Sequence, residues 1–102
     1  REKLTEIYIH PVLMKYIVSI VEGTREQSSI LHGASPRGTL ALMRVSKAYA
    51  MGKGRDYVVP EDVKTFAHEV LRHRILLTFE ALADGITSDQ VVDSIVQAVP
   101  VP

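Results

Sequence analysis

Apolar residues recur at helical spacing in four stretches of this chain, and each stretch opens on a start signal. The first runs from about Pro11 to Glu22. Lys15, Ser19 and Glu22 fall on one narrow stripe, and Val12, Leu13, Tyr16, Ile17, Val18, Ile20 and Val21 fill the remainder. A helix apolar around most of its circumference is largely buried, and Gly23 ends this one. The second runs from about Pro36 to Met51. Arg37, Arg44 and Lys47 share one edge, opposite Leu40, Leu42, Met43, Val45, Tyr49 and several alanines, and Gly52 and Gly54 stop it. The third starts at Pro60, with Glu61 and Asp62 in its first turn, and shows a clean apolar face of Val63, Phe66, Ala67, Val70 and Leu71. Its end, "RHR", puts cations where the helix dipole favours them. The fourth opens with Thr87 and Gln90 as a capping box and carries Val91, Val92, Ile95, Val96 and Val99. The closing "VPVP" cannot continue it.

Two further segments fit strands. "LTEIYIH", before the first helix, is rich in β-branched and aromatic residues. "ILLTFEA", after the third, pairs with it in a small ribbon or, as "ILLTFEALA", continues as helix. The longest irregular stretch runs from Thr24 to Ala34. The pattern therefore predicts a mainly α fold over residues 1–102 as a single domain. It is a four-helix bundle with a short two-stranded β ribbon.

Composition narrows the class. A domain of 102 residues buries roughly 65% of its unfolded-chain surface and folds unaided. Twelve basic residues balance twelve acidic ones, against the basic excess of a general nucleic-acid binder. With no cysteine, disulfides and thiolate zinc sites are excluded, and the composition fits a cytoplasmic protein. No apolar run reaches the roughly 18 residues of a membrane span. The chain opens on Arg rather than Met, which points to a piece of a longer protein.

Catalytic constellations are missing. "HEVLRH" lacks the zincin spacing: His68 needs its partner at i+4, where Arg72 stands. His73, at i+5, lies about 140° around the helix, so the two cannot share a metal. His10 and His32 are isolated. Ser35 sits in Ala-Ser-Pro, not in a nucleophile elbow, and its capping role explains it. "GKGRD" follows a helix and is no phosphate-binding loop.

"GASPRG", Gly33–Gly38, poses the sharper question. Ser35 is a preferred N-cap and Pro36 suits the first helical position, so Arg37 falls in the first turn. That end of a helix is already partly positive. Either Arg37 is a solvated residue costing roughly a few tenths of a kcal/mol, or an anion belongs beside it. Helix N–H groups, the dipole and a guanidinium together suit a phosphate. Tyr16 is read as core, or as bordering a ligand's ring.

In combination, "YIVSIVEGTR", "GASPRG", "GRDYVVPEDV", "VLRHRI" and "VPVP", in this order over nearly the whole chain, resemble the C-terminal lid of the MoxR family of AAA+ ATPases. One departure is Val59, where family members often carry Thr, which weakens an N-cap. The resemblance implies that Arg37 is the sensor-2 arginine, reaching the γ-phosphate of ATP, in cis or on a neighbouring subunit, with Pro36 and Tyr16 at the nucleotide site. It implies that the phosphate loop and the residues holding Mg2+ lie in an N-terminal α/β ATPase domain outside this chain, so that the chain alone does not hydrolyse ATP. The implied parent is a hexameric, chaperone-like remodeler, with von Willebrand factor A domain proteins as partners.

Two other classes compete with this reading. A stand-alone interaction module would use Arg37, Arg44 and Lys47 against an acidic protein. A DNA-binding domain would lay the second helix in a groove, but that helix lacks the broad polar face this needs.

Overall fold

The order of elements follows from where helices can start and stop. A computed structural model describes residues 4–102. A 3-10 turn at Leu4–Glu6 leads to α1 (Pro11–Gly23), which is capped by His10, whose Nδ1 accepts from the Val12 N–H at 3.0 Å. Then come β1 (Ile30–His32), α2 (Pro36–Gly52), α3 (Pro60–Leu71), β2 (Leu76–Leu77), α4 (Phe79–Ala83) and α5 (Ser88–Ala98). The fold is mainly α with a two-stranded antiparallel ribbon, as the pattern predicts.

α2 and α3 run antiparallel. The ring of Tyr49, late in α2, meets that of Phe66 edge to face at 5.0 Å. At the other end, Gly38 of α2 faces Leu71 of α3. The core is built from Ile17, Ile20 and Val21 of α1, Leu42 and Ala50 of α2, Val63, Ala67 and Leu71 of α3, and Val91, Val92, Ile95 and Val96 of α5. Each large aliphatic buried there contributes about 1.5–3 kcal/mol. α5 starts with the expected capping box: Gln90 N–H donates to Thr87 Oγ1 at 3.2 Å and Thr87 N–H to Gln90 Oε1 at 3.0 Å. No helix among the described residues is long and apolar enough to cross a membrane.

The ribbon joins different partners from those expected. β2 pairs with β1, which lies inside the stretch read as irregular, in the register Ile30↔Leu77 and His32↔Leu76. "LTEIYIH" instead forms the 3-10 turn and a single parallel bridge of Tyr8 to Tyr57, and buries Ile7. The reason is geometric. α3 spans about 18 Å at 1.5 Å per residue. Tyr8 is bound near its N-terminus and Leu76 leaves its C-terminus, so the two segments never meet. "ILLTFEA" also divides at Thr78, whose hydroxyl caps α4 by accepting from Ala81 N–H at 3.1 Å. That adds a short fifth helix to the four expected.

Candidate functional site

The first turn of α2 is built as the sequence predicts. Ser35 takes an extended backbone, and its Oγ accepts from the Arg37 N–H at 3.2 Å. Pro36 occupies the first helical position and is exposed, and Arg37 follows it, also exposed. The first turn contains no acidic residue.

This turn is anchored from behind by the end of α1. Thr24, fully buried, donates its hydroxyl to Val21 O and accepts from the Ala34 N–H at 2.8 Å. Arg25 Nε donates to Ala34 O at 3.2 Å. Both backbone groups of Ala34 are therefore held by neighbouring side chains of one segment. Gly33 makes this possible: a Cβ there would stand 2.6 Å from Thr24 O. Thr24 and Arg25 were not singled out from the sequence, although both stand in "GTR", since a buried threonine acceptor leaves no periodic signal.

A hollow of about 320 Å³ opens beside Arg37, lined by Arg37, Leu40, Ala41, Arg44 and Arg74. Three of its five lining residues are arginines and none is acidic. Other arginines are engaged: Arg55 with Asp62, Arg72 with Asp89 at 3.4 Å, Arg25 with Ala34 O. Among the described residues, Arg37, Arg44 and Arg74 make no side-chain hydrogen bond or ion pair. The edge predicted for the second helix thus changes membership. Arg37 and Arg44 line the hollow, Lys47 does not, and Arg74 arrives from beyond α3.

Tyr16 lies elsewhere. It is 3% exposed, and its hydroxyl has no hydrogen-bond partner among the described residues. Burial, aided by the Glu61 charge, raises the phenol above its ordinary value. Glu61 begins α3, whereas Arg37 sits beside its end, and Tyr16 does not line the arginine hollow.

The opposite end of α3 is pinned by an ion pair between the partly exposed Arg55 and the buried Asp62. Arg55 donates to Asp62 Oδ2 at 2.9 Å and Oδ1 at 2.8 Å, and Val59 N–H donates to Oδ2 at 2.8 Å. Val59 offers no side-chain cap of its own, so Asp62 supplies that half of the capping interaction alone. Burial would raise the Asp62 carboxyl. The Arg55 and Val59 hydrogen bonds, with the Arg55 and Lys53 charges, outweigh burial and hold it below the ordinary value.

Residues 22–95 match the family model of the AAA lid domain. The chain belongs to that family. The lid is 38% identical over 104 residues to the chaperone MoxR1 of Mycobacterium tuberculosis, covering 93% of this chain and 28% of that protein. It is 44% identical over 90 residues to the protein YeaC of Bacillus subtilis, covering 88% of this chain and 28% of that one. A crystal structure of an ATPase candidate from Cytophaga hutchinsonii superposes with a TM-score of 0.91 at 40% identity, over 97% of the lid and 33% of that chain. This is a lid domain of the MoxR family of AAA+ ATPases, and it spans under a third of the length of the curated relatives it matches.

Proposed function

We propose that this lid supplies Arg37 as the sensor-2 arginine of its parent ATPase, coupling the state of the bound nucleotide to chaperone-like remodeling. One observation carries the reading. Arg37 stands exposed in the first turn of α2, where helix N–H groups and the dipole already favour an anion, and no carboxylate among the described residues neutralises it. A guanidinium so placed stabilises charge on the γ-phosphate oxygens during phosphoryl transfer and senses whether that phosphate is present. ATP and Mg2+ are held mainly by the N-terminal ATPase domain of the parent, since this chain has no phosphate-binding loop. Pro36 fixes the turn that aims Arg37. Tyr16, buried near the start of α3 and away from Arg37, belongs to the lid's core in this reading rather than to the phosphate contact.

Partners follow the same logic. Leu31, Leu76, Phe79 and Leu82 are exposed large apolar residues on the ribbon and α4, with Phe79 at 85%. They suit burial against the lid's own ATPase domain or a neighbouring subunit of a hexamer.

The test is steady-state ATP turnover of the intact parent, wild type against Arg37→Ala. A fall of roughly tenfold or more, about 1.4 kcal/mol of transition-state stabilisation, is expected with folding unchanged. Unchanged turnover overturns the assignment and leaves the arginine edge as a docking surface for an acidic protein.

A further inference from the structure

The arginine hollow holds two more cations than sensor 2 explains, Arg44 and Arg74. Arg74 belongs to the turn that follows α3, its N–H bonded to Leu71 O at 2.9 Å. Its stem lies along the first turn of α2: a Cβ on Gly38 would stand 3.7 Å from Arg74 Cδ. Arg74 thus sits against the residue next to Arg37. The ribbon fixes this arrangement. β2 begins two residues after Arg74, β1 ends four residues before Pro36, and their pairing draws the exit of α3 to the start of α2. One arginine from α2 and one from the turn after α3 are thereby brought to one hollow, with Arg44 two turns along α2 on the same wall.

Like charges gathered this way repel unless an anion sits between them. Elsewhere in the lid, Arg55, with the buried Asp62 carboxylate, and Arg72, with Asp89, have acidic partners. The hollow has none among the described residues. The other two lining residues, Leu40 and Ala41, offer no competing acceptor side chain. Guanidinium groups from two directions suit a phosphate, which accepts hydrogen bonds on several oxygens at once.

From this geometry we infer that Arg74 is a second phosphate-binding arginine, gripping the terminal phosphate of the nucleoside triphosphate together with Arg37, while Arg44 extends the positive field along α2. The inference rests on Arg37 facing that phosphate. Arg74 gives the lid a grip from the α3 side, so that nucleotide loss releases α2 and α3 together rather than one helix end.

The experiment measures ATP and ADP affinity of the intact parent by equilibrium titration, comparing wild type, Arg37→Ala, Arg74→Met and Arg74→Lys. Met keeps the apolar stem against Gly38 and removes the charge; Lys keeps the charge and removes the fork. Arg74→Met is expected to weaken ATP binding roughly tenfold and ADP binding by less than about threefold. Arg74→Lys should fall between it and wild type. Wild-type ATP affinity in Arg74→Met overturns the inference. An equal loss for ATP and ADP also overturns it, since that marks a fold defect or a contact away from the terminal phosphate. If Arg37→Ala is impaired while Arg74→Met is not, only Arg74 is wrongly placed; if neither is impaired, the sensor-2 reading falls as well.

Discussion

Thr24 Oγ1 accepts a hydrogen bond from the Ala34 backbone N–H at 2.8 Å, across ten residues of chain. This contact fastens the end of α1 to the residue before the α2 cap, and so sets where Arg37 begins its turn. Thr24→Val keeps the shape and removes the acceptor, leaving a buried N–H without a partner. Such a loss costs about 1–3 kcal/mol. Chemical denaturation should show this destabilisation, and Thr24→Ser should recover most of it. Equal stability of Thr24→Val and wild type would show that the contact anchors nothing.

Gly33 and Gly52 should respond to alanine in opposite directions. A Cβ on Gly33 meets Thr24 O at 2.6 Å, backbone that cannot step aside. Gly52 ends α2, and a Cβ there meets nothing within 4 Å. Gly33→Ala is expected to destabilise the lid by more than about 1 kcal/mol, and Gly52→Ala to be neutral or stabilising by up to about 1 kcal/mol. Thermal midpoints of the two variants decide this.

The Arg55–Asp62 pair should give the lid an acid-sensitive step. The folded Asp62 carboxyl is held below its ordinary value of 3.8, so the native state binds its proton less readily than the unfolded chain. The stability this adds is present in full above the ordinary value and is lost as pH falls through the depressed one. Asp62→Asn should be less stable at neutral pH and show a shallower loss of stability in acid. Parallel stability-against-pH curves for variant and wild type would exclude Asp62 as the source.

Two buried hydroxyls lack partners among the described residues, Ser46 Oγ and Tyr16 Oη. Removing an unpaired buried hydroxyl relieves its desolvation. Ser46→Ala should be neutral or stabilising by up to about 1 kcal/mol. Tyr16→Phe should behave likewise in denaturation. If Tyr16 meets the nucleotide in the intact parent, Tyr16→Phe will also weaken nucleotide affinity there. Unchanged affinity would make it a core residue only.

Much of the helical frame was legible because its signals are local. Pro11, Pro36 and Pro60 mark helix starts, Ser35 and Thr87 cap through bonds to residues two or three positions on, and apolar spacing picks out the buried faces. The ribbon was misassigned because strand pairing depends on which backbone lies nearby, and "LTEIYIH" and "ILLTFEA" both had the composition to pair. Antiparallel packing of α2 on α3 decided between them. Arg74 was legible only as a cation favouring the dipole at the end of the third helix.

The sequence by itself determined a mainly α lid with an arginine in the first turn of its second helix, since caps, prolines and apolar periodicity act within a few residues. Tertiary structure decided what surrounds that arginine. The Thr24 and Arg25 contacts to Ala34, the β1–β2 register and the approach of Arg74 to Gly38 each join residues nine or more positions apart. Their partners are selected by packing and chain closure, which no local pattern encodes.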